Sequence, residues 1–130
     1  MERIIIDTDP GVDDAHAIMM ASAFPNVKIE ALTVVAGNVG LDRTVANSCT
    51  ILDVLGEDAP VFAGCSSAFV PGIEDAAHVH GIDGQGDVGL TPSTRVVEEE
   101  HASAALVRLA HESPGELTLV AIGPLTHLAV

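Results

Sequence analysis

The chain has 130 residues, a formal net charge of −14 and only 2% aromatic side chains. A surface this acidic is repelled by nucleic acid, and no apolar run is long enough to cross a membrane. Two cysteines, Cys49 and Cys65, are too few for a disulfide framework and fit a reduced, cytoplasmic setting.

The length suits a single domain over residues 1–130. The chain goes straight into a strand with no signal-peptide pattern ahead of it. Lys28 is the only lysine, and aspartate, alanine and valine are abundant. Two origins stay open on that composition: a high-salt cell, where acidic surfaces keep proteins soluble, or an ordinary acidic bacterial or archaeal protein.

Strand and helix signals alternate along the chain, the mark of βαβ units and a parallel sheet. The first strand spans Arg3 to Thr8, where Ile4, Ile5 and Ile6 are β-branched and suit burial on both faces. A helix follows from Asp13 to Phe24 and stops at Pro25-Asn26. The second strand runs from Lys28 to Val35 and ends at Ala36-Gly37-Asn38-Val39-Gly40. Leu41, Val45, Cys49, Leu52 and Leu55 then share one helical face, with Gly56 as a C-terminal stop.

The third strand is short, Pro60 to Ala63. Residues 66–97 read as a long irregular segment with many glycines, which in a compact domain is functional or disordered. A helix from His101 to His111 and a fourth strand from Leu117 to Ile122 follow. A last helix begins at Leu125, with six residues remaining. So short a helix is unstable alone, and a parallel sheet needs cover on both faces. The fold class is therefore α/β, an open, mostly parallel Rossmann-like sheet flanked by helices and truncated, the N-terminal part of something longer.

The end of the first strand carries the chemistry. Asp7, Asp9, Asp13 and Asp14 crowd into Asp7-Thr8-Asp9-Pro10-Gly11-Val12-Asp13-Asp14, and no Lys or Arg lies between Arg3 and Lys28. Pro10 keeps Asp9 out of the helical region, and Gly11 permits a tight turn. Asp13 and Asp14 suit the positive end of the next helix. The plain reading is that Asp13 caps the helix and the others are solvated loop residues. The fuller reading adds a hard cation, calcium or magnesium, to offset the repulsion. In an open parallel sheet, ligands gather beyond the carboxyl ends of the strands. There Asp7 to Asp14, Gly37-Asn38, Gly64-Cys65 and Ile122-Gly123 would meet.

The stretch Asp7 to Ile18 resembles the N-terminal signature of the inosine-uridine preferring nucleoside hydrolases, DxDPGxDDxxAI. Leu119-Val120-Ala121-Ile122-Gly123-Pro124-Leu125-Thr126 is similar to the family's second signature, so the resemblance runs along essentially the whole chain. It implies calcium-dependent hydrolysis of the N-glycosidic bond of ribonucleosides, in purine and pyrimidine salvage. By position, Asp9 and Asp14 match calcium ligands, and Asp9 also matches the general base on the metal-bound water. Asp7, the signature's first aspartate, joins the metal site, and the Ile122 carbonyl matches a backbone ligand. Asp13 and Asn38 match ribose-binding residues. His80, in His78-Val79-His80-Gly81, matches a histidine near the nucleobase in some members.

The chemistry suits these residue types on its own terms. Cleaving an N-glycosidic bond builds positive charge on the sugar, which carboxylates stabilise. A carboxylate beside a metal can take the proton from water. His78 and His80 could instead hold a transition metal. His16 reads as surface, His101 as a cap or flank, and His111 as a helix C-terminal cation. His127 replaces an asparagine common in the second signature, which puts a side-chain role there in doubt.

The resemblance also implies what is lacking. The family's leaving-group acid, a further calcium aspartate and a ribose-binding asparagine come from the C-terminal half. This chain alone is therefore expected to be inactive, with a nucleoside or ribose as its small-molecule partner and self-association into a homo-oligomer. Two alternatives stand beside this reading. One is a magnesium-dependent phosphatase of the haloacid dehalogenase type, which also places DxD after a first strand with the first aspartate as nucleophile. The other is a non-catalytic fragment that binds calcium or ribose.

Overall fold

The computed structural model describes residues 1–67 and 80–130. Elements come in the order β1 (Glu2–Thr8), α1 (Val12–Ala23), β2 (Val27–Val34), α2 (Leu41–Leu55), β3 (Val61–Ala63), α3 (Ala102–Glu112), β4 (Leu117–Ala121) and α4 (Thr126–Ala129). The four strands form one parallel sheet in the order β3-β2-β1-β4. The α/β expectation holds, with element ends within a residue or two of those read from the sequence.

Alternation in β1 sends its isoleucines to opposite faces. Ile4 and Ile6 join Ile18 of α1 and Cys49, Ile51 and Leu52 of α2 in one core. Ile5 joins Ala31, Phe62, Ala102 and Ala105 in a second core under α3. The sheet is thus covered by α1 and α2 on one side and by α3 on the other, as a parallel sheet requires. Among the described residues no helix is long and apolar enough to cross a membrane.

Pairing of β1 with β2 is interrupted once. Ile4 lies opposite Ile29, but Ile5 lies opposite Ala31, so Glu30 is an extra residue in β2. Arg3 and Lys28 hold the Glu30 carboxylate at 2.8 and 2.9 Å and draw its pKa below the usual range. The bulge shifts the face presented by every later residue of β2. Leu32 and Val34 join Ile29 in the first core, and Thr33 comes opposite Asp7.

Residues 92–98 run back as a strap across the end of α2. Arg95 donates to the carbonyls of Glu57 and Ala59 and pairs with Asp53. Glu98 then bridges Phe62 beside β3. His101 caps α3 by accepting from the Ser103 N–H at 3.2 Å, and His111 sits in the last turn of α3. His16 is exposed.

Candidate functional site

Three chain segments meet at the carboxyl ends of β1, β2 and β4. Thr8 and the turn after it come from β1, residues 35–40 from β2, and Ile122-Gly123 from β4. The Val35 N–H donates to the Thr8 carbonyl at 3.0 Å. The Asp7 carbonyl accepts from the N–H groups of Ile122 (2.9 Å) and Gly123 (3.3 Å). These main-chain bonds fix the rim before any side chain is considered.

Asp9 is buried, with 6% of its surface exposed. Asn38 holds it twice: the Asn38 backbone N–H donates to Asp9 Oδ2 at 2.8 Å, and Asn38 Nδ2 donates to the Asp9 carbonyl at 2.7 Å. The same Nδ2 reaches Asp14 Oδ2 at 3.3 Å. The approach of the β2 turn to Asp9 is possible only because residue 37 is glycine. A Cβ there would lie 2.1 Å from Asp9 Oδ2.

Asp14 is also buried, at 3%. Its Oδ1 accepts from the Thr8 hydroxyl at 2.7 Å, and its Oδ2 accepts from the Gly11 N–H at 3.3 Å, closing the N-terminus of α1. Asp14, and not Asp13, is therefore the aspartate that caps the helix. Asp13 points outward with 79% of its side chain exposed.

Burial, and then the nearby Asp14 charge, push the Asp9 carboxyl from its ordinary 3.8 up to about 7. Burial likewise raises Asp14, against the hydrogen bonds from Thr8 and Gly11. Among the described residues no Lys or Arg bonds to Asp7, Asp9, Asp13 or Asp14. The carboxylates are steadied by neutral donors, and their repulsion is left uncompensated.

His80 closes the site from the glycine-rich loop. Its Nδ1 accepts from the Val12 N–H at 3.0 Å, which leaves the ring proton on Nε2, 3.7 Å from Asp13 Oδ1. The loop is pinned to the same turn by two amides. Asn47 Nδ2 donates to the carbonyls of Asp83 (2.7 Å) and Pro10 (3.3 Å), and Gln85 Nε2 donates to the Gly11 carbonyl (3.2 Å). Asn47 and Gln85 went unnoticed in the sequence, where nothing marks an amide as a loop anchor. His78 lies outside the described residues.

The structure thus brings Asp9, Asp13, Asp14, Asn38 and His80 together, with Ile122 alongside. It sets Asp7 apart. Asp7 follows Ile5 on the α3 face and is wholly buried. Its Oδ2 accepts from the Thr33 hydroxyl at 2.6 Å and faces His127 Nδ1 at 2.6 Å, while its Oδ1 has no partner. A carboxylate enclosed in this way cannot attack a phosphate ester, which removes the physical basis of the phosphatase alternative.

The sequence model of the family described as inosine-uridine preferring nucleoside hydrolase matches residues 4–130. The chain belongs to this family. It is 44% identical over 131 residues to uridine nucleosidase 1 of Arabidopsis thaliana, covering 99% of this chain and 39% of that one. A plant nucleoside hydrolase structure superposes with a TM-score of 0.92 at 40% identity, covering 98% of this chain and 41% of that one. A purine-preferring ribonucleoside hydrolase from Gardnerella vaginalis superposes with a TM-score of 0.93 at 32% identity, over 98% and 42%. The chain therefore spans about two fifths of the length of the relatives it matches.

Among the described residues no three His, Cys, Asp or Glu side chains converge to hold a metal ion, so the chain offers a hard cation only part of a ligand set. All candidate ligands are oxygens, two of the carboxylates are driven upward in pKa by burial, and no cationic side chain neutralises them.

Proposed function

We propose that this chain supplies the water-activating half of a calcium-dependent nucleoside hydrolase, which cleaves the N-glycosidic bond of ribonucleosides to ribose and free base. The observation that carries the reading is the buried Asp9–Asp14 pair bridged by Asn38. Asp9, Asp14 and the Ile122 carbonyl would hold the ion, with Asp7 behind them. When bound, calcium lowers the pKa of water and orients sugar hydroxyls.

The residues of this chain do the rest. Asp9, which has two carboxylate oxygens, is placed to take the proton from the attacking water. Asp13, exposed at the start of α1, can accept from a ribose hydroxyl. Both amide hydrogens of Asn38 are engaged by Asp9 and Asp14, so its contact to ribose falls to Oδ1. The His80 Nε2–H is placed beside Asp13 to donate to the substrate. Negative charge from the cluster steadies the oxocarbenium-like state.

The supporting relatives are about two and a half times as long as this chain, so the proposal assigns it binding rather than turnover. Calcium titration by calorimetry tests it, with Asp9→Ala and Asp14→Ala as controls. Saturable binding lost in both variants is expected, together with negligible ribose release from inosine or uridine. A calcium-indifferent chain would sink the metal site. Robust ribose release by the 130-residue chain would overturn the division of labour.

A further inference from the structure

The short helix α4 carries one side chain that the proposed chemistry leaves unused. His127 has a fully enclosed ring in a helix of only four residues. A helix of this length cannot hold itself in place, so the contacts of the ring decide where it sits. Both ring nitrogens are engaged. The Cys65 N–H, just past β3, donates to Nε2 at 2.9 Å. A backbone N–H can only donate, so Nε2 is bare and the proton of the neutral ring is on Nδ1. That N–H faces Asp7 Oδ2 at 2.6 Å.

The surroundings are shaped to the ring. A Cβ on Gly64 would lie 2.0 Å from His127 Nε2, so the ring fills the place of a side chain at residue 64. The His101 ring meets it edge-on, with centroids 6.1 Å apart. Thr33 and His127 both bond Asp7 Oδ2, so Asp7 is held from β2 and from α4 at once. The carbonyl of the same Asp7 receives the N–H groups of Ile122 and Gly123, and Gly123 packs against Asp9. His127 thus grips the residue at which both signature segments are joined.

We propose that His127 is a positioning residue for the calcium half-site: its Nδ1–H fixes Asp7, and through the Asp7 main chain it sets Ile122 and Gly123 beside Asp9. This rests on the function proposed above. The donor to Asp7 is the essential element, and the bond to Cys65 selects the tautomer that supplies it. An asparagine at 127 keeps an N–H at the same number of bonds from the backbone and can still reach Asp7, whereas it falls short of Cys65. A leucine fills space and donates nothing.

The test compares His127→Asn and His127→Leu with the unsubstituted chain by calcium calorimetry, and reads the ring by long-range proton–nitrogen NMR on the unsubstituted chain. Groups that orient metal ligands typically contribute about 10- to 100-fold in affinity. We expect His127→Leu to weaken calcium by about tenfold or more and His127→Asn to stay within about threefold. The NMR spectrum should show a protonated Nδ1 and a bare Nε2. Leucine binding as well as histidine, asparagine as poor as leucine, or a proton on Nε2 would each overturn the inference. If the unsubstituted chain binds no calcium, the proposed metal site fails, and the ring tautomer together with a higher melting temperature for His127→Asn than for His127→Leu still decides whether Asp7 is held through Nδ1.

Discussion

Asp9→Asn should make the calcium-free protein more stable while abolishing calcium binding. A carboxyl whose ordinary pKa is 3.8 titrates at about 7 in the folded chain. Between those values the folded state keeps a proton that the unfolded state has lost. Stability therefore falls as pH rises from about 4 to about 7 and is level above. At about 1.4 kcal/mol per pH unit, the ceiling on this loss is about 4 kcal/mol. Water at the exposed Asp13 end of the site screens the charge, so the effect to expect is about 1–2 kcal/mol. Asparagine has the shape of the protonated acid and can still accept from the Asn38 N–H, which it does without a charge. In a chelator, the variant should melt about 4–8 °C above the unsubstituted chain at pH 8, with the gap closing toward about pH 4. Calorimetry should show no calcium binding by the variant at either pH. A variant less stable than the unsubstituted chain at pH 8, or a gap independent of pH, would refute the electrostatic account of the site.

Three further outcomes are expected. Gly37→Ala places a methyl 2.1 Å from Asp9 Oδ2, so the carboxylate must leave the Asn38 N–H; calcium affinity by calorimetry should fall about tenfold or more. Asp13→Ala removes an exposed carboxylate that makes no hydrogen bond to Asp9 or Asn38 and whose charge only adds to the repulsion on Asp9 and Asp14; calcium binding should persist within about threefold while ribose binding to the calcium-loaded chain is lost, because bidentate sugar contacts to one carboxylate are charge-assisted. Arg95→Ala cuts three tethers to Asp53, Glu57 and Ala59; it should cost about 1–3 kcal/mol in urea denaturation and leave calcium affinity unchanged, since the strap lies across the far end of α2.

The alternation of strands and helices was legible because each element carries its own period: Ile4-Ile5-Ile6 for a doubly buried strand, Leu41 to Leu55 for one helical face. The acid cluster was legible because four carboxylates without a cation demand an explanation. The bulge at Glu30 was not, because a charged residue in a strand looks like any outward-facing position, and of the two cations that hold it Arg3 lies on β1 and Lys28 two residues back on β2 itself. Without the bulge the meeting of Thr33 with Asp7 cannot be foreseen. The separation of Asp7 from Asp9 was half legible. Asp7 shares a face with Ile5 by simple alternation, but only the turn after Pro10, clamped by Asn38 and Asn47, carries Asp9 to the α1 side. His127 was missed for a different reason. Its departure from the signature marked it as doubtful, whereas the fold uses the departure to join β1 and β3 through one ring.

The site's charge is left open by the way the chain spends its few cations. There are five Lys and Arg residues. Arg3 and Lys28 serve the Glu30 bulge, Arg95 pins the strap, and Arg108 spans Glu100 and Glu112 on α3. Arg43 donates to the Ile82 carbonyl and so holds the loop that carries His80. Among the described residues the acid cluster is given neutral donors: the hydroxyls of Thr8 and Thr33, the amide of Asn38, the backbone and the Nδ1–H of His127. A guanidinium at this position would satisfy the carboxylates permanently and fill the space between them. Neutral donors orient the oxygens, offset part of the burial cost and leave the negative charge in place. The elevated Asp9 is the residue of that arrangement: its strain is relieved either by a proton, below pH 7, or by a cation, above it. Calcium and protons should therefore compete for one carboxylate, and calcium affinity should rise with pH up to about 7 and level off beyond it.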